Sequence, residues 1–494
     1  MDSVVALLIL LVIIVIVLSC PESQERLDHL GIPTWAPSRI SIPSNHGLSR
    51  ENFNSDIVDL KNAKDLVYLD NNGTTIPPPF VETEIKKWVG SGNPSSENAP
   101  AKQLIKYARN YLYDHMKISP DEYDIVFTSG ASESNSLLIK SVTENYKNNT
   151  GRMPHVIISS MEHKSILNLV KLLERLNCCE YTLVEPDIYG KICPADVDKE
   201  IKGNTCLVSI MWANNEIGTI NNIPAISHLC RIKHVPFHTD ATQIFGKYYL
   251  PIGQPIDAVS MAFHKVYGPP GTGILVVHKR MKMHAQIGGM QEGGLRGGTE
   301  NVPGIAGAIA GMKYSFEMEV LEHSTRAEKN AYLAGLRQRM IDNLSEIYPI
   351  TPYDLQFTSR SNEERYPVEL VILGPAPDNG LYGLPNTLAF SIVKHYGPRF
   401  CNIKLKRDLM KEGFMISIGS ACNSSQTGPS HVLQAILAPP EVGCGTVRIS
   451  LGDTNTESEV DKFVAALVKC AGYQLEKWNQ KPNLDSGGGQ CPYE

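Results

Sequence analysis

Asp257–Gly273 reads DAVSMAFHKVYGPPGTG, and the fold is read outward from it. The apolar run Ala258–Phe263 is short and bounded, as expected of a buried strand. It ends in His264-Lys265, and a Gly/Pro loop follows at once. Lys265 then stands at the carboxyl end of the strand, where open α/β sheets place their ligands. Partial burial there lowers a lysine's pKa and frees its amine as a nucleophile, which suits a Schiff base. The plain alternative is a surface lysine in a turn. A nucleotide loop is excluded. Gly268-Pro-Pro-Gly-Thr-Gly273 begins like a Walker A motif, but Ile274 and Leu275 stand where Lys and Ser/Thr would hold phosphates and Mg²⁺.

On both sides of this stretch, strands alternate with helices. Strands are expected at Val67–Asp70, Asp124–Thr128, His155–Ser159, Tyr181–Val184, Cys206–Met211, Val235–Thr239 and Ile274–Val277. Ile166, Leu169, Val170, Leu173 and Leu176 recur at helical spacing, which predicts an amphipathic helix over Lys164–Asn177. Such alternation means a mainly parallel sheet covered on both faces. Beyond Gly298 the pattern changes to two helices, an irregular insertion over 350–383, further strands and a closing helix over Glu457–Leu475. This reads as a smaller α+β C-terminal domain. The expected division is 1–20 anchor, 21–63 linker or N-terminal arm, 64–315 large domain, 316–480 small domain and 481–494 disordered tail.

The chain has 494 residues, 42% hydrophobic and 20% charged, with net charge −6. Length allows roughly two to four domains and a large core. The mild acidity gives no electrostatic case for nucleic acid. Eleven cysteines without a CxxC pair are neither a disulfide framework nor a zinc site, so no metal is expected. Val4–Leu18 is fifteen apolar residues without a preceding Lys or Arg, which favours a single-pass transmembrane segment over a cleaved signal. Arg26, Arg39 and Arg50 all follow it and place the body on the cytosolic side. Asn72-Gly-Thr and Asn423-Ser-Ser fit the glycosylation pattern inside candidate site motifs, a second argument against a lumenal body.

Several polar groups fall at strand ends in the same order. Asp240, in HTDATQ, follows the strand ending at Thr239 and is either a cap or the partner of a protonated pyridine nitrogen. Ser129-Gly-Ala-Ser132 lies between a strand and a helix, so it is an N-cap or a phosphate site at a helix N-terminus. His163 opens a helix after a strand, and Asn214-Asn-Glu-Ile-Gly218 offers amide donors. Cys422, in Gly419-Ser-Ala-Cys-Asn-Ser-Ser-Gln-Thr-Gly428, sits among small polar residues, the setting of a reactive rather than a packed thiol.

HKVYGPPGTG, SGASESNS, MEHKS, NNEIG, DATQ, RGGTENV, GSAC and VRISLG together resemble, in order, the motifs of cysteine desulfurases. These are pyridoxal phosphate (PLP)-dependent enzymes of fold type I, the class V aminotransferases. The resemblance spans about 66–470 and implies a large domain with a mainly parallel seven-stranded sheet. It implies Lys265 as the Schiff-base lysine, Asp240 as the pyridinium partner, His163 stacked on the ring, and Gln243 and Asn215 at the cofactor oxygen. Ala131, Ser132, His264 and Thr299 would bind phosphate, Thr299 across a homodimer. Arg448, helped by Asn71 or Asn72, would hold the carboxylate of L-cysteine, and Cys422 would accept its sulfur. The partners implied are a sulfur acceptor or iron–sulfur scaffold. Ala262 stands where the family usually has Ser or Thr, Pro270 replaces a common lysine, and the long Cys422 loop resembles the subgroup serving scaffold-based assembly. A selenocysteine lyase on the same fold and a non-catalytic membrane platform are the rival readings.

Overall fold

The computed structural model describes residues 66–250, 252, 256–353, 368–375, 383–394, 399–418 and 429–479. Along the chain the strands are β1 (Val67–Tyr68), β2 (Tyr123–Thr128), β3 (His155–Ser159), β4 (Glu180–Val184), β5 (Thr205–Ser209), β6 (Phe237–Asp240) and β7 (Ala258–Ala262). They continue with β8 (Gly273–His278), β9 (Ile350–Pro352), β10 (Val368–Leu373), β11 (Thr387–Lys394), β12 (Phe414–Met415) and β13 (Thr446–Ser450). The helices that shape the two cores are α1 (Pro79–Trp88), α2 (Pro100–Met116), α3 (Ala131–Thr150), α4 (Lys164–Arg175), α5 (Ile223–Ile232) and α6 (Val302–Glu317). The later ones are α7 (Arg326–Ser345), α8 (Asn402–Lys411) and α9 (Glu457–Asn479).

Seven strands form one sheet in the order β2-β8-β7-β6-β5-β3-β4. Only β8 runs antiparallel, to β2 and to β7; the other pairs are parallel. Every residue of β3, β5 and β7 is buried, because helices cover both faces. On one side Ala108 and Leu112 of α2 pack with Ile226 of α5 and Ile305 and Ile309 of α6. On the other lie Leu137 and Leu138 of α3 with Ile166, Leu169 and Val170 of α4. Strand order reverses direction between β3 and β5, so the ligand crevice of such a sheet opens at their carboxyl ends. α6 lies against the loop after Lys265 only because Gly311 has no side chain. A Cβ there would come within 2.5 Å of the Gly268 nitrogen.

A second core surrounds a four-stranded sheet, β13-β11-β10-β9. Leu336 and Met340 of α7, Leu405 and Leu409 of α8, and Phe463 and Leu467 of α9 fill it. Two expectations change here. Val67–Asp70 was expected to open the large domain, but β1 pairs in parallel with β12 and Leu69 is buried in the second core. The 350–383 insertion is not wholly irregular. Its apolar run VELVIL becomes β10, paired with β11 and, in parallel, with β9; 354–367 and 376–382 lie outside the described residues.

A buried ion pair ties the start of α7 to the turn after β13. Arg326 donates to both carboxylate oxygens of Asp453, at 2.7 and 2.9 Å, with both side chains almost wholly buried. Arg326→Ala would leave the Asp453 charge uncompensated. The expected loss is about 3–5 kcal/mol of unfolding free energy, read by denaturant titration. Among the described residues no helix is long and apolar enough to cross a membrane. The expected anchor (1–20), arm (21–63) and tail (481–494) lie outside the described residues.

Candidate active site

The carboxyl ends of the parallel strands gather the polar groups. Lys265 closes a single 3₁₀ turn, Phe263–Lys265, directly after β7. Phe263 holds that turn by burying its ring edge-on against Phe245, 5.8 Å between centroids. Lys265 Nζ donates to the carbonyl oxygens of Asn72, at 2.6 Å, and Gly73. Burial of the amine lowers its pKa to about 8; the Arg448 charge adds to the fall, and Asp70 and Asp240 oppose it.

Asp240 ends β6 and is buried. Its Oδ1 accepts from the Thr242 amide and its Oδ2 from Asn135 Nδ2, each at 3.0 Å. Asn135 also donates to Ser165 Oγ at 3.1 Å, and Ser165 Oγ lies 2.9 Å from His163 Nδ1. One carboxamide on α3 therefore fixes the carboxylate at the end of β6 and, through a hydroxyl, the imidazole after β3. His163 caps α4, its Nδ1 accepting from the Ser165 amide. His163 is exposed as a residue, yet the protein around it desolvates the imidazole and lowers its pKa. The sequence alone does not single out Asn135 and Ser165. The available signal was spacing: Asn135 lies one helical turn beyond Ala131, on the same face.

At the N-terminus of α3, Gly130 supplies no side-chain cap, although its carbonyl accepts from the Glu133 and Ser134 amides. The Ala131 and Ser132 amides begin a helix of 20 residues, a favourable place for an anion. Gly273 allows β8 to pass here; a Cβ on it would lie 2.5 Å from Gly130 Cα. The exposed Thr299 follows the turn carrying Arg296, which pairs with Glu133 on α3 at 2.9 Å. His264 Nδ1 lies 3.0 Å from Thr74 Oγ1, and burial lowers its pKa to about 4, so the ring is neutral at physiological pH.

Gln243 Nε2 donates to the Asn72 carbonyl at 3.1 Å, whereas its buried Oε1 has no partner among the described residues. The Asn215 carbonyl accepts from Asn72 and from Arg448. The asparagines expected to help with a substrate are engaged internally. Asn72, 1% exposed, donates to Thr387 Oγ1 at 2.8 Å and accepts from Asn386 at 3.2 Å. Asn71 donates to the Ser450 carbonyl at 3.0 Å. Both carboxamides lock the 70–73 turn onto β13 and β11, which leaves Arg448 of the three groups expected at a substrate carboxylate. Beside His163, the buried Glu162 has its carboxyl pushed up to about 8 by burial and by the Asp240 charge. Cys422 lies outside the described residues.

These groups fit PLP by the chemistry of the donor set. A helix N-terminus suits the phosphate, a buried carboxylate suits a protonated ring nitrogen, and a lysine with a lowered pKa suits the aldehyde carbon. Gln243, whose Oε1 is unpartnered among the described residues, shares the Asn72 carbonyl with that lysine.

Comparison with known proteins agrees. Residues 67–359 match the aminotransferase class-V family. The cysteine desulfurase IscS of Clostridium botulinum is 34% identical, over 82% of this chain and 94% of that protein. The IscS of Dictyoglomus turgidum is 35% identical, over 80% and 92%. A solved NifS-like protein matches with TM-score 0.69 and 29% identity, over 83% of this chain and 100% of that one. SspA, solved in complex with cysteine, matches with TM-score 0.61 and 30% identity, over 79% and 99%. The chain belongs to the class-V aminotransferase family and, within it, to the cysteine desulfurases, enzymes that work with pyridoxal phosphate.

Proposed function

We infer that the chain removes sulfur from L-cysteine, releases L-alanine and carries the sulfur as a persulfide on Cys422. The convergence of Lys265, Asp240 and the α3 N-terminus at the strand ends, with Arg448 entering from β13, carries this reading. When bound, PLP supplies an electron sink for the pair left at the substrate Cα. Arg448 holds the substrate carboxylate and so sets the Cα–H bond toward Lys265. Lys265 Nζ takes the Cα proton; its lowered pKa keeps a useful neutral fraction near pH 7–8. Asp240, anchored by Asn135, holds the proton on the ring nitrogen, and His163 moves protons at the open face. The Cys422 thiolate attacks the substrate sulfur: an S–S bond forms, the Cβ–S bond breaks, and its electron pair stays with the carbon skeleton, which is protonated and leaves as alanine.

Ala131, Ser132 and His264 hold the phosphate, joined by Thr299 from a second copy in a homodimer, a role its exposure permits. Gln243 and Asn215 contact the cofactor oxygen. Asn71 and Asn72 act by shaping the turn that faces the substrate. The persulfide passes to an acceptor such as an iron–sulfur scaffold. The fifteen apolar residues Val4–Leu18 anchor the chain in a membrane, with the body on the cytosolic side. Purified protein given L-cysteine and a thiol should release alanine and sulfide in equal amounts. Selenide release from selenocysteine with no alanine from cysteine would favour the lyase, and release from neither would favour the platform.

A further inference from the structure

Asp70 belongs to no motif singled out in the sequence, yet its carboxylate pairs with Arg448 Nη2. The other end of the guanidinium donates from Nη1 to the Asn215 carbonyl at 3.0 Å. Three separate segments meet at this side chain: the turn after β1, the turn after β5, and β13 itself. Arg448 is 6% exposed, and its Nε has no partner among the described residues. A buried donor left unpaired is costly, and the described residues supply no acceptor for this one.

Asp70 is itself held in place. Its carbonyl accepts from the Gly73 amide at 2.9 Å and from the Tyr68 hydroxyl at 3.0 Å, and it bridges to Ser450 on β13. Gly73 leaves room for the carboxylate; a Cβ there would lie 2.8 Å from Asp70 Oδ2. The same turn offers its Asn72 and Gly73 carbonyls to Lys265. The position of Arg448 is thus keyed to the position of the amine.

We propose that Asp70 is a positioning residue that presents Arg448, with its Nε donor unspent, to the carboxylate of the amino-acid substrate. The inference rests on the reading of Arg448 given above. Asp70 balances the buried guanidinium while the site is empty and prevents it from turning toward other acceptors. The ligand it serves must carry a carboxylate next to the amino group, so the effect is confined to ligands of that class.

Asp70→Asn in the holoenzyme should raise KM for L-cysteine about tenfold and leave kcat within about twofold, the pattern of lost binding shared by ground and transition states. Inhibition by cysteamine, which has the amine and thiol but no carboxylate, should not change. Arg448→Ala should raise KM more, and adding Asp70→Asn to it should do nothing further. Asp70→Glu keeps the charge and should show a smaller rise with the same indifference to cysteamine, which keeps the test decisive if the Asn variant does not fold. An unchanged or lower KM in the folded variant would overturn the proposal. So would equal weakening of cysteamine, the mark of general structural damage, or additivity with Arg448→Ala. If Arg448→Ala itself leaves KM unchanged, the Arg448 reading fails first.

Discussion

Lys265→Ala is expected to abolish turnover, with a loss of about 10³-fold or more, the contribution typical of one positioned proton carrier. The variant should fold, because Phe263 and the strand before it carry the packing, and Nζ makes only two bonds to backbone carbonyls. It should bind PLP through the α3 N-terminus and Asp240 but hold it without a covalent link. The visible band of the tethered cofactor disappears, and borohydride no longer fixes label to the chain. In the wild type, capture of added PLP by cofactor-free protein should quicken as pH rises through about 8, since the neutral amine is the reactive form and burial sets its pKa there. The variant should lose this dependence. A variant that keeps the same band before and after borohydride would remove Lys265 from its role.

Cys422→Ser is expected to keep the cofactor and lose alanine release to background. Its surroundings, GSACNSSQTG, have no apolar periodicity, so the change should cost within about 0.5 kcal/mol of stability. A thiolate is available near neutral pH and a serine alkoxide is not, so the sulfur of bound cysteine has no acceptor. Spectra taken after adding L-cysteine should show binding without turnover. Full activity in this variant would move the nucleophile elsewhere, with Cys444 and Cys491 as the first places to look. Burial raises the Cys444 thiol pKa, which makes it the weaker nucleophile.

The site was legible where chemistry sits at strand ends. Lys265, Asp240, His163 and the Ser129–Ser132 turn each follow a short buried run, and the alternation around them predicts that these ends share one edge. The structure brings them together, and Asn135 supplies the link. That link was not legible, because an asparagine inside a helix has no sequence mark saying which way it faces. The Asp70–Arg448 pair was hidden for a different reason: 378 residues separate the partners, and no local pattern reports so distant a contact. The resemblance implies Asn71 or Asn72 as a helper at the substrate carboxylate. Only the packing of the 70–73 turn onto Ser450, Thr387 and Asn386 shows them engaged. The fold shows the same division. The seven-stranded sheet announces itself through bounded apolar runs, whereas β1 has only two residues, and its pairing with β12 depends on where Leu69 can be buried. VELVIL lies in the stretch expected to be irregular and forms β10, because a short apolar run beside Pro and Gly is ambiguous until a neighbouring strand claims it.

The most direct measurement is the location of the transferred sulfur. Wild-type holoenzyme is treated with L-cysteine in the absence of an acceptor, alkylated, digested and weighed peptide by peptide. One extra sulfur should appear on the Cys422 peptide, in step with one alanine released per active site, and should be absent from the Lys265→Ala variant. Alanine release with the added sulfur on the Cys444 or Cys491 peptide, or no added sulfur on any peptide, would contradict the account.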